Sequence, residues 1–233
     1  MALAVPRNGS ITFFGDVAQQ IYGHRITWRS AGLNLTGKPW IFEENYRNSK
    51  QIADLALALT KMPYYNGAAD LVSPNSPRAA GPPPSLLIFK SDEEEAAFVV
   101  KQARSMARVG SVAILTSNHH QRHYFNTLFH EGTFTELTND MSRWRSGTGI
   151  SIGVCHSAKG LEFESIILPR LSAKLLPDPD EITSFGEARA QADAGRLLYV
   201  GITRARQNLI LTCTEEPTNL LPADRKLLPI VTP

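Results

Sequence analysis

Short apolar runs alternate with amphipathic stretches along most of this chain, and that alternation admits few folds. "SLLIFK" (85–90), "SVAILT" (111–116), "GISIGV" (149–154), "ESIILP" (164–169) and "NLILTC" (208–213) have the length and composition of buried strands. "SITFFGD" (10–16) and "WIFEEN" (40–45) read as two further extended stretches. Helices are expected between them. One runs from about Ser49 to Lys61, where Ile52, Leu55, Ala56 and Leu59 recur at spacings of three and four. Another covers 91–107, with Ser91 as N-cap and Glu94 three residues on, a capping box. Two more lie near 118–130 and from about Glu187 to Ala205. Strands separated by helices of this length predict βαβ units, hence an α/β fold with a parallel sheet. Ligands in such sheets sit at the carboxyl ends of the strands, which directs attention to the polar segments after 10–15, after 149–154 and along the helix that feeds 208–213.

The remaining stretches read as loops. Five prolines in "SPNSPRAAGPPPS" (73–85) exclude helix and central strand, 171–184 is rich in Pro and Asp, and the tail after 216 is expected to be irregular. The chain has 233 residues, enough for one large domain or one and a half small ones. A hydrophobic share of 42 % and a charged share of 20 % exclude a disordered chain. A net charge of +2 means that any basic patch must be local. Cys155 and Cys213 offer no zinc spacing and read as buried thiols of a reducing compartment. With neither a secretory leader nor a membrane-length apolar run, the chain reads as soluble and cytoplasmic, with no membrane partner. "NHHQRH" (118–123) has three histidines but no clustered carboxylate or cysteine, so it reads as a solvated helix face and no metal is expected. Trp28, Trp40 and Trp144 read as packing residues.

Four polar segments carry candidate chemistry. "GDVAQQIYGHR" (15–25) follows an apolar strand. Its glutamines can bond a phosphate oxygen or orient a water, and Tyr22, His24 and Arg25 can meet bases and phosphates; the same residues also fit a strand-to-helix turn capped by Asp16. In "EENYRNSKQI" (43–52), Arg47 suits bidentate phosphate contact and Tyr46 can stack on a base, or Arg47 can bridge to Glu43 or Glu44. "HSAKGLEFESIIL" (156–168) brings backbone N–H groups, Lys159 and Glu162 toward an anion or a ribose hydroxyl, or is a tight turn with a surface lysine. In "RLLYVGITRARQNLIL" (196–211), Arg204 lies one turn beyond Val200, where it can project past the helix end toward a transferred phosphoryl group, or be a solvated basic helix end.

Taken together and in this order, the segments resemble the third, fourth, fifth and sixth motifs of the UvrD/Rep-type superfamily 1 DNA helicases: "GDVAQQIYGHR", "ENYRNS", "HSAKGLEF" and "RLLYVGITRAR". The resemblance runs from about residue 10 to 213. It implies a RecA-like sheet of the P-loop NTPase type with helices on both faces, and a 3′-to-5′ ATP-driven DNA translocase. Gln19 matches the glutamine that couples the γ-phosphate to DNA. Arg47 and Arg204 match the two arginines that reach the γ-phosphate, Tyr46 the tyrosine on adenine, and Glu162 the carboxylate near the ribose. Tyr22, His24, Arg25, His156 and Lys159 fall where the family touches single-stranded DNA.

Departures from the family qualify that expectation. The Gly-Lys-Thr/Ser phosphate-binding (Walker A) loop is missing, since Gly37–Lys38 is followed by Pro39, and nothing before Gly15 can supply the magnesium-binding acidic pair. The acidic pair that usually precedes the sixth motif is replaced by "DAG" (193–195), and Ile26 stands where glycine is common. Residues 1–30 are therefore expected to be the end of a first RecA-like lobe, 31–215 the second lobe without a large insertion, and 216–233 a tail. ATP with Mg2+ would bind only opposite a complete first lobe, in cis or in trans, and the isolated chain is expected to be inactive as an ATPase. The alternative is a non-catalytic module, derived from a helicase, that binds single-stranded nucleic acid or a partner protein.

Overall fold

The computed structural model describes residues 47–65, 79–138 and 147–232. The expected strands at 10–16 and 40–45 lie outside them. The described elements are α1 (Lys50–Thr60), a 3-10 turn (Pro63–Tyr65), β1 (Ser85–Phe89), α2 (Asp92–Met106), β2 (Ser111–Thr116), α3 (His119–Thr127) and β3 (Phe134–Glu136). They continue with β4 (Gly149–Val154), β5 (Phe163–Leu168), α4 (Pro179–Phe185), α5 (Glu187–Thr203), β6 (Ala205–Thr214) and β7 (Ile230–Val231). The strands form one sheet in the order β3-β4-β2-β5-β6-β1-β7, and every pairing is parallel.

Burial on both faces explains why the central strands read as unbroken apolar runs. Side chains alternate between two cores. Leu86, Ala113, Leu115, Ile166, Leu168, Leu209 and Leu211 meet α1 and α5 on one face. Leu87, Val112, Ile114, Ile150, Ile152, Ile167 and Ile210 meet α2 and α3 on the other. This is the RecA-like α/β arrangement, with helices on both faces of a parallel sheet.

Local signals held where they were strong and failed where elements are short. Ser91 Oγ accepts from Glu94 N at 3.2 Å, but the Glu94 carboxylate reaches one residue further back, to Lys90 N at 3.3 Å, so the reciprocal half of the capping box closes outside Ser91. The Pro- and Asp-rich stretch read as a loop contains α4. Asp178 caps it by accepting from Asp180 N, and Pro179 occupies its first turn, where its missing N–H is harmless. Because α4 buries none of its residues, it has no apolar period to read. The tail contributes β7 at the sheet edge, and Leu220, Leu221 and Leu228 enter the core.

Candidate nucleotide and nucleic-acid interface

Three of the sequence-predicted segments converge at the amino ends of β5 and β6. The anchor is Asn48, 5 % exposed, whose Nδ2 donates to Thr203 O at 3.1 Å and to Ala205 O at 2.5 Å. Ser49 N donates to Arg206 O at 2.8 Å, and Phe163 N to Arg204 O at 3.0 Å. A buried amide that satisfies two carbonyls is costly to remove, so this joint is firm. It sets Arg47, three residues ahead of α1, beside the residues that enter β5.

There Arg47 Nε meets Glu162 Oε1 at 2.5 Å, with the two side chains 40 % and 38 % exposed. Glu43 and Glu44, the partners considered for Arg47, lie outside the described residues, and Glu162 takes that place. Arg204 departs from both sequence expectations. It neither projects past the helix end nor is solvated: at 1 % exposure it is the largest fully buried side chain among the described residues. Its Nε donates to Val200 O at 3.1 Å, its Nη1 to Leu161 O at 3.4 Å and its Nη2 to Thr203 Oγ1 at 3.4 Å. The cause is local. Arg204 is the single residue between α5 and β6, so its backbone is already at the sheet and its side chain folds back over the last turn.

The carboxyl-end rule therefore misplaces half the site. Residues 155–162 cross from the carboxyl end of β4 to the amino end of β5, passing β2, so His156 and Glu162 fall toward opposite ends of the strands. His156 is half-buried and Lys159 exposed. Burial holds the His156 imidazole below its ordinary pKa, with smaller contributions in the same direction from His119 and Lys159 and an opposing one from Asp193. The turn closes through Lys159 N to His156 O at 3.2 Å, and Gly160 follows at φ +85°, a left-handed conformation that glycine adopts without strain. Gln19, Tyr22, His24, Arg25 and Tyr46 lie outside the described residues, as do Trp28, Trp40 and Trp144.

One polar cluster escaped sequence reading. At the carboxyl ends of β5 and β6, Glu95 of α2 is fully buried. It accepts from Thr212 Oγ1 at 2.5 Å and from Arg170 N at 2.8 Å. Arg170, at φ +64°, pairs with Asp92 and stands 3.8 Å from Glu95 Oε2. Asp92 also accepts from Thr214 Oγ1 at 3.1 Å. Burial raises the pKa of Glu95. Burial acts the same way on Asp92, but the Arg170 hydrogen bond and charge, with Thr214, prevail and lower it. An acid spaced four and eight residues from Val99 and Ala103 was the available signal: Glu95 stands on the apolar face of α2.

Among the described residues no three His, Cys, Asp or Glu side chains gather as a metal site, and no helix is long and apolar enough to cross a membrane. The donor set at the amino ends fits a polyanion in part: Arg47 presents a half-exposed guanidinium, whereas the donors of Arg204 already face protein acceptors.

Residues 132–216 match the family model of the UvrD-like helicase C-terminal domain. The chain is 32 % identical over 87 residues to a probable DNA helicase II homolog of Rickettsia conorii, covering 37 % of this chain and 13 % of that protein. It is 38 % identical over 64 residues to the ATP-dependent DNA helicase UvrD2 of Mycobacterium tuberculosis, covering 28 % and 9 %. To the ATP-dependent DNA helicase PcrA of Staphylococcus aureus it is 34 % identical over 80 residues, covering 34 % and 11 %. These matches thus span a small fraction of each relative. The solved C-terminal domain of a possible DNA helicase from Lactobacillus plantarum is similar in fold, with a TM-score of 0.56 and 20 % identity, covering 79 % of this chain and 98 % of that one. The family match over residues 132–216 and the helicase relatives support a UvrD-like helicase C-terminal lobe, and the solved domain shares its fold.

Proposed function

We propose that this lobe serves an ATP-dependent DNA translocase, moving 3′ to 5′ as its relatives' motifs imply, and that it supplies Arg47 and Arg204 to a nucleotide held by a first RecA-like lobe in cis or in trans. In this reading residues 1–30 end that first lobe and 31–215 form the second. The single observation that carries the reading is the joint made by Asn48, which brings the segments bearing Arg47, Glu162 and Arg204 together at the amino ends of β5 and β6. Magnesium-bound ATP would supply the phosphoryl group and its leaving group. The chain's own part is to place positive charge where negative charge grows. Arg47 does so by turning from Glu162 to a phosphate oxygen, which releases Glu162 to accept from a ribose hydroxyl. Arg204 does so by exchanging its carbonyl acceptors for phosphate when the lobes close. Gln19 and Tyr46 would complete the nucleotide contacts, while Tyr22, His24, Arg25, His156 and Lys159 would meet single-stranded DNA.

The burial of Arg204 favours one other reading, a binding module that kept the fold and lost the chemistry. ATP hydrolysis with single-stranded DNA separates the two. Activity confined to the chain joined to a complete first lobe, and lost in Arg204→Ala, establishes the catalytic lobe. A joined form that binds DNA without hydrolysis leaves the binding module.

A further inference from the structure

A second basic site lies away from the motif segments. α2 ends at Met106, and its last turn leads through Gly110 into β2. At that end a concave volume of about 380 Å³ is lined by Arg104, Ala107, Arg108, Phe129, His130 and Gly149 among others. Three separate elements meet there: the end of α2, the turn between α3 and β3, and the start of β4. Arg104 is held in place by the ring of Phe129, with its guanidinium 5.5 Å from the ring centroid. Such stacking fixes the arginine and leaves the edge donors of its fork for another acceptor.

Among the described residues this charge has no carboxylate partner. Arg122, Arg170, Arg189 and Arg196 have carboxylate partners. Among the described residues neither Arg104 nor Arg108 has one, and no Asp or Glu lines the groove. A helix dipole favours an arginine in a last turn, but it does not gather a histidine from a different loop around the same hollow. Arg104, Arg108, Phe129 and His130 also precede the segment matched by the family model.

We propose that this groove holds the phosphodiester backbone of a nucleic-acid strand, as a contact separate from the one assigned to His156 and Lys159. Two guanidiniums and an imidazole suit adjacent phosphates. Phe129 is buried beneath Arg104, so the site offers no platform for a base and reads backbone rather than sequence. The proposal goes beyond the nucleotide reading and uses only its premise that the chain meets nucleic acid.

The test is the salt dependence of single-stranded DNA binding by the whole chain, measured by fluorescence anisotropy with a labelled oligothymidine. Arg104→Gln/Arg108→Gln is expected to lower the salt slope by about 1.4, two phosphates at about 0.7 each. These side chains are exposed, so the fold should persist, and circular dichroism checks it. An unchanged slope overturns the proposal; if Lys159→Gln then lowers it, the DNA contact of the proposed function survives on its own. A chain that binds no DNA also overturns this inference, while the ATPase assay of the joined form still judges the catalytic reading. A direct probe is Ala107→Cys, because the native thiols are buried. An oligonucleotide bearing a bromoacetamide on a backbone phosphorothioate should alkylate it, and plain oligothymidine should suppress the reaction. Absence of the adduct overturns the placement, as does competition by polyglutamate but not by DNA, which would mark an acidic protein partner.

Discussion

The ring of Tyr64 occupies the space that a side chain on Gly195 would need: a Cβ there would stand 2.1 Å from Tyr64 Cε2 and 2.4 Å from Cδ2. The ring cannot easily swing away, because its hydroxyl donates to Leu220 O at 2.6 Å. The "DAG" that replaces the family's usual acidic pair thus has a structural reason at its third position: α5 is docked on the 3-10 turn through a bare backbone. Gly195→Ala is expected to destabilise the lobe by about 1–3 kcal/mol despite its better helix propensity, measured by urea unfolding. A stabilised variant would mean that Tyr64 repacks at little cost.

Arg47→Ala should separate function from stability. Its ion pair with Glu162 lies on the surface, so unfolding free energy should change by less than about 1 kcal/mol. On the proposed function, hydrolysis by the joined form should fall roughly a thousandfold or more, the scale of a lost phosphate-stabilising arginine. Equal losses in both measurements would assign Arg47 a structural role instead.

Asn48→Ala should be costly for the opposite reason. It strips the Thr203 and Ala205 carbonyls of their donor in a buried place, for about 1–3 kcal/mol. Chemical denaturation of the isolated chain reads this directly, and a neutral outcome would mean that water reaches the joint.

The cluster around Arg170 gives stability a pH signature. Glu95 has a folded pKa above its unfolded one, so its contribution is full when protonated and declines as pH rises through the folded value. Asp92 has a lowered folded pKa, so its contribution is present above the unfolded value and lost as pH falls through the folded one. Relative to Glu95→Gln, the wild type should lose stability as pH rises from the ordinary glutamate range through the folded value. Relative to Asp92→Asn, it should lose stability on acidification. Arg170→Leu removes the cation beside both acids, so the folded pKa of Asp92 and of Glu95 should rise, and a pH titration of unfolding free energy reads the change.

Both cysteines should be silent in the native protein. Burial pushes the Cys155 and Cys213 thiols up to about 12, so neither forms appreciable thiolate at neutral pH. Ellman's reagent should titrate none of them before denaturation and both after it. Native labelling of either would show that its core opens.

Much of the scaffold was legible because it depends on neighbours in sequence. The period of Ile52, Leu55, Ala56 and Leu59 marks α1, and the apolar run 111–116 marks β2, since each pattern repeats within one element. The misses were elements without such a pattern: α4, which buries nothing, and β3 and β7, with three and two residues. Glu95 was passed over because an acid in a helix normally faces water, and only Thr212 and Arg170, distant in the chain, make its burial tolerable.

The sequence by itself determined the residue types, the order of the four motif segments and the alternation that demands a parallel sheet, because these rest on local covalent and hydrophobic periodicity. Only the tertiary structure decided which ends of the strands they occupy. It carried 155–162 across the sheet, paired Arg47 with Glu162 and set Arg204 against the Leu161 carbonyl. It also brought Arg104, Arg108 and His130 around one hollow. Those outcomes depend on strand order and register between segments dozens of residues apart, and no window along the chain contains both sides of such a contact.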